Sequence, residues 1–191
     1  MTQSRLRLLL PTLCILLLGA CSEPTQPSLA VEPENLSFSS AGADSHLAPL
    51  ARFDTRRSIT IAWARKWIGP EGGRLDFQGF AIDVPPGAVD RVTQFSIHLP
   101  VDPKGSERVL ARFGPHGAQF PTGVVIELPY SGTSIFGNED ARVVWWNPDA
   151  KVWEDMGGTV TSSGRLRTRT THFSEYGTSD GRGGVLTASG G

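Results

Sequence analysis

Apolar and polar residues alternate with a period of two in short runs spread over residues 58–173. S-I-T-I-A-W-A at 58–64 sets Ile59, Ile61 and Trp63 against Thr60, Ala62 and Ala64, the two-residue repeat of a strand. F-A-I-D-V at 80–84 repeats the pattern and stops at Pro85-Pro86-Gly87-Ala88, where Pro86-Gly87 fits the central positions of a type II turn. The same alternation predicts strands at 92–99, 108–113, 123–128, 142–146, 151–154 and 165–173. Glycine and proline punctuate the gaps, and no convincing run with a helical period appears. This pattern predicts an all-β chain with a single antiparallel β-sandwich over 58–177. Its register predicts Ile82, Val84, Phe95, Ile97, Leu110, Val125, Val143 and Leu166 in the core, with Asp83 and Gln94 facing out.

The pattern fails at both ends, and each failure carries its own expectation. Residues 21–57 are rich in Ser, Pro, Ala and Glu, with Pro24, Pro27, Pro33 and Pro49 interrupting any repeat. They read as a disordered tether with a reach of roughly 35 Å on random-coil scaling. Residues 178–191 read as a flexible Gly/Ser-rich tail. At the start, Arg5 and Arg7 precede an apolar run over 8–18 that is shorter than the ~20 residues of a bilayer span. Residues 1–20 therefore read as a signal peptide. The run ends in Leu18-Gly19-Ala20-Cys21, which resembles a bacterial lipobox, with small residues before a cysteine thiol that takes a diacylglyceryl group. Ser22 rather than aspartate follows Cys21, so in a Gram-negative cell the outer membrane is the expected site of the anchor.

Composition narrows the function classes. The only cysteines are Cys14 and Cys21, so no disulfide is expected in the exported domain. The formal net charge is −1, slightly more negative without Arg5 and Arg7, which argues against nucleic acid as a partner. His46, His98, His116 and His172 fall on different elements, and no spacing resembles a zinc or calcium site. No glycine pair opens a phosphate loop. No cofactor is expected. Asp76, Glu127 and Glu139 read as solvated surface groups.

Five stretches in order carry a family resemblance. They are I-G-P-E-G-G-R-L at 68–75, D-V-P-P-G-A-V at 83–89, F-G-P-H-G-A-Q-F at 113–120, W-W-N-P-D-A-K-V-W-E at 145–154 and T-H-F-S-E-Y at 171–176. Together they resemble the ZU-five domain, the β-sandwich of ankyrins and netrin receptors, in the form found in bacterial exported proteins. With the lipobox, the linker and no recognisable site, the expectation is a non-catalytic, lipid-anchored interaction or structural module, whose partner would be an envelope protein or a glycan and is not supplied by the resemblance. In some relatives a His-Phe-Ser at the end of the sandwich is a self-cleavage site. By that resemblance His172 is the base, and Ser174 attacks the Phe173 carbonyl in an N-to-O acyl shift. Period two would set His172 and Ser174 on one face. The other reading is an ordinary closing strand, with Phe173 in the core and Tyr176 pinning the corner. Trp146 and Trp153 raise a further expectation. A two-residue loop at Pro148-Asp149 would place them diagonally on one face, as an aromatic platform for a sugar or protein. The alternative is that they pack under the tether or a neighbouring loop.

Overall fold

Burying Phe80, Ile82 and Val84 leaves Asp83 at the outer surface, so the strand at 80–84 forms with the register that alternation predicts. The structure is a computed structural model that describes residues 47–101, 105–181 and 185–187. The expected signal peptide at 1–20, Cys21 and the expected tether up to residue 46 lie outside the described residues.

Twelve strands run in order: β1 (Trp63–Ile68), β2 (Gly73–Phe77), β3 (Phe80–Val84), β4 (Thr93–His98), β5 (Leu110–Gly114), β6 (Gln119–Pro129), β7 (Arg142–Asn147), β8 (Val152–Asp155), β9 (Thr159–Val160), β10 (Arg165–His172), β11 (Glu175–Ser179) and β12 (Val185–Thr187). They make two sheets packed face to face, a seven-stranded one ordered β1-β4-β5-β11-β7-β8-β12 and a five-stranded one ordered β2-β3-β6-β10-β9. The chain is an all-β sandwich. Pairing is antiparallel except at one edge, where β12 joins β8 in parallel. The turn after β3 forms as read: Ala88 N–H donates to Pro85 O at 3.1 Å, and Gly87 takes a φ of +78°.

The inner faces supply the main core, including Ile82, Val84, Phe95, Ile97, Val143, Leu166 and Phe173. Two expected members differ. Val125 is only half buried, because β6 turns Val124, Ile126 and Leu128 inward. Leu110 is buried, but on the opposite face of its sheet, in a second cluster with Leu47, Leu50, Val144 and Trp153.

That second cluster corrects the tether boundary. Residues 47–53 belong to the folded domain. Leu50 pairs with Ser179, Arg52 with Arg108 and Phe53 with Thr133 in isolated bridges, and Ala51 N–H donates to Thr178 O at 2.7 Å. Pro49 masked this segment, because its apolar residues obey no period. They cap the outer face of the seven-stranded sheet instead of forming a strand of their own. The tail boundary is corrected too. β11 lies at the middle of the seven-stranded sheet, between β5 and β7, and Thr178 and Ser179 are fully buried. Gly177 lets Leu50 lie directly on the strand: a Cβ there would come within 2.6 Å of Leu50 Cδ2 and 2.8 Å of the Val109 carbonyl oxygen.

Candidate functional site

T-H-F-S-E-Y spans a crossing between the two sheets. β10 ends at His172 in the five-stranded sheet and β11 begins at Glu175 in the seven-stranded one, so Phe173 and Ser174 make the step. The β10–β6 register also shifts between Thr170 and His172. Period two requires a continuous strand, so it no longer sets His172 and Ser174 on one face. Phe173 fills the core and contacts Phe120 edge-on at 4.7 Å, with Phe95 and Phe113 at 5.9 and 6.0 Å.

His172 is oriented by Tyr176. Its Nδ1 lies 3.2 Å from Tyr176 Oη, and that hydroxyl donates to the His172 carbonyl oxygen at 2.7 Å. The shorter contact assigns the tyrosine proton to the carbonyl. A neutral ring that donates from Nδ1 fits this arrangement and would keep Nε2 as an acceptor, while Thr170 Oγ1 donates to the same carbonyl at 2.9 Å. Burial lowers the His172 pKa and Glu154 partly opposes the shift, so the ring is neutral at neutral pH. Burial raises the Tyr176 pKa far above the usual phenol, and Thr170 holds the hydroxyl at 2.8 Å. The ring also packs edge-on against Trp145 at 4.8 Å. Among the described residues no hydrogen bond joins the His172 ring to Ser174. The Phe173 carbonyl does accept a long hydrogen bond, 3.3 Å, from the Gly117 N–H.

The tryptophan hairpin differs from expectation. Asn147 faces Val152 across the pair, so residues 148–151 form the loop. Asn147 Oδ1 accepts from the Asp149 and Ala150 N–H groups, and Lys151 takes a φ of 56°. The longer loop sets Trp146 directly opposite Trp153 rather than diagonally. Their rings are 5.4 Å apart, and Trp153 is only 1% exposed, packed with Leu47 and Leu50. An exposed platform there is ruled out. These side chains form a small core under the segment that precedes β1.

Glu127 is not a solvated group either. It is buried at the centre of a charge network on the outer face of the five-stranded sheet. Arg74 bonds Glu127 and Asp83 at 2.6 Å each, and Arg165 bonds Asp76 at 2.6 Å. Burial pushes the Glu127 pKa up, but the Arg74 hydrogen bond and the nearby guanidiniums outweigh it, and the net shift is downward. Strand alternation could have found this face. Arg74 and Asp76, Asp83, Glu127, and Arg165 and Arg167 hold outward positions on β2, β3, β6 and β10. Among the described residues, no three His, Cys, Asp or Glu side chains group as metal ligands.

The exposed tryptophans are elsewhere. β1 is an edge strand, and Trp63, Arg65 and Trp67 share its outer face. Trp63 is 50% exposed and Trp67 64%, with the Arg65 guanidinium carbon 4.6 Å from the Trp63 ring centroid. The strand expected over 58–64 begins only at Trp63 and runs on to Ile68, and its tryptophan faces solvent because Ala64 and Ile68 take the inner positions. No protein-family model matches the chain, and no curated protein matches it.

Proposed function

We propose that this protein is an exported lipoprotein, anchored through Cys21, that presents a ZU-five-like β-sandwich as a non-catalytic binding module. The observation that carries the reading is Leu18-Gly19-Ala20-Cys21 behind a basic and apolar leader. In this reading the Ser-, Pro-, Ala- and Glu-rich sequence after Cys21 holds the domain off a membrane surface. Metabolic labelling with palmitate tests the anchor. Label should enter the wild type and be absent from Cys21→Ser; a labelled Cys21→Ser variant removes the reading.

A second reading, self-cleavage between Phe173 and Ser174, is favoured by the Gly117 N–H on the Phe173 carbonyl, where an oxyanion would develop. Ser174 Oγ would attack that carbonyl and displace the Ser174 nitrogen, which takes up the hydroxyl proton. Water would then open the ester to a Phe173 carboxylate and the free hydroxyl. The His172 tautomer leaves Nε2 to accept a proton, yet the ring is held by Tyr176 and not by Ser174. The test is intact mass in denaturant of the wild type beside Ser174→Ala. Two pieces in the first and one chain in the second would establish cleavage; one chain in both removes it.

A further inference from the structure

The outer face at the β1 edge holds aromatic side chains in the open, flanked by hydrogen-bonding groups. Across from Trp63, Arg65 and Trp67, the register on β4 sets His98, Ser96 and Gln94, each partly exposed. This is not a continuous apolar patch. Two indoles about 13 Å apart along the strand alternate with a guanidinium, and a parallel row of polar side chains runs beside them. The next strand keeps the surface low, since β5 sets Gly114 opposite Ser96. A Cβ on Gly114 would collide with the Ser96 hydroxyl, so that hydroxyl occupies the space above the glycine.

Positive charge dominates the β1 end of this face, and the carboxylate in its Trp63–His98–Arg112 row is Glu175 on β11. No Asp or Glu occurs in β1, β4 or β5. Arg65 has no carboxylate partner among the described residues, and its described contact is the Trp63 ring. Lys66 lies at the rim, where its ammonium donates to the Arg74 carbonyl at 2.8 Å. Arg112 pairs with Glu175 of β11 at 3.5 Å.

We propose that the Trp63–Arg65–Trp67 face binds an acidic polysaccharide, lying along β1. The C–H faces of pyranose rings stack on the two indoles, and a uronate carboxylate meets Arg65. Gln94 and Ser96 take hydroxyl groups. The linear stripe of rings beside a polar row suits an extended polyol chain. A protein partner would call for a filled apolar centre inside a polar rim. The Arg65 guanidinium between the rings, without a carboxylate partner among the described residues, selects the acidic class over the neutral one. Burial, with Arg65 and Arg112 nearby, keeps His98 neutral, so it adds hydrogen bonding without further charge. This site deepens the binding-module reading and rests on it, but not on the anchor.

Affinity electrophoresis of the Cys21→Ser chain through gels containing polygalacturonate, alginate or hyaluronate tests it, with methyl-esterified polygalacturonate as the neutral control. At least one polyuronate should retard the chain, the neutral ester should do so much less, and added salt should weaken the effect. Trp63→Ala and Trp67→Ala should each weaken retardation roughly tenfold, and Arg65→Gln should remove the preference for the acid over the ester. These side chains are exposed, so the variants should unfold at the wild-type temperature. Retardation by none of the polyuronates overturns the proposal, as does retardation that survives both tryptophan substitutions. Binding to phosphatidylglycerol vesicles, or self-association lost in Trp67→Ala, overturns it when no polyuronate binds. The palmitate result is read independently, so loss of the ligand leaves the anchor standing, and loss of the anchor leaves the ligand standing.

Discussion

A single side chain's place relative to the two sheets decides what it contributes. Glu127 is a carboxylate in an outer-face position, yet three arginines close over it. Replacing it with Gln should lower stability by about 1–2 kcal/mol, a modest figure because Arg74 and Arg167 are partly exposed and screened. Its pH signature is more specific. The Glu127 and Asp76 pKa values lie below their ordinary 4.5 and 3.8. Their stabilisation is therefore present above those ordinary values and lost as pH falls through the lower folded ones. Urea midpoints should drop between neutral pH and about pH 3, and Glu127→Gln should drop less. An equal drop in both would show that Glu127 contributes nothing to the acid sensitivity. The hairpin tryptophans give a second contrast. Trp153→Ala should cost about 3–5 kcal/mol by opening a cavity, and Trp146→Ala clearly less, since Trp146 is only half buried. Comparable losses would contradict the burial that separates them.

At the scale of elements, the segment before β1 and the strand after the sheet crossing hold one another. Leu50 lies on Gly177, and the Arg108 guanidinium donates to the Leu50 carbonyl at 2.6 Å. Leu50→Ala should behave as a core truncation, costing about 2–4 kcal/mol in a denaturant melt. Gly177→Val should cost at least about 1–3 kcal/mol, because the new side chain meets the Val109 backbone as well as a side chain that can turn away. If Leu50→Ala is neutral, residues 47–53 are an appendage and not part of the domain. Alternation could not disclose this pairing. L-A-P-L-A-R-F has no strand period, and E-Y-G-T-S is too polar and glycine-marked to read as a central strand. Both are buried by what covers them.

For the whole molecule, the position of β11 changes what a break at Phe173–Ser174 would look like. The piece from Ser174 onward would carry a strand paired on both sides, to β5 and to β7. A cut chain should therefore run as one species in native gel filtration and separate only in denaturant. A native measurement cannot report the bond's integrity, so the denaturing mass is the informative one. Separate, later elution of a freed small piece from a nicked native sample would show that β11 does not hold the sandwich together.

Residues alone determined the fold class, because a two-residue repeat broken by glycine and proline can bury one face only in sheets. They also determined the inward set on β3 and β4, since a one-residue slip would have put Asp83 and Gln94 inside. The proposed lipid anchor at Cys21 likewise rests on sequence alone. Only the tertiary structure decided which tryptophans are exposed. Trp63, Trp67, Trp146 and Trp153 all stand at strand positions facing away from the main core or its inner layer, and nothing local separates them. The outcome depends on where residues 47–53 lie: among the described residues they cover the outer face over β5, β7 and β8 and not β1 or β4. The same holds for His172 and Ser174. Their spacing is local, but whether they share a face depends on the strand continuing, and the crossing between sheets ends it at His172.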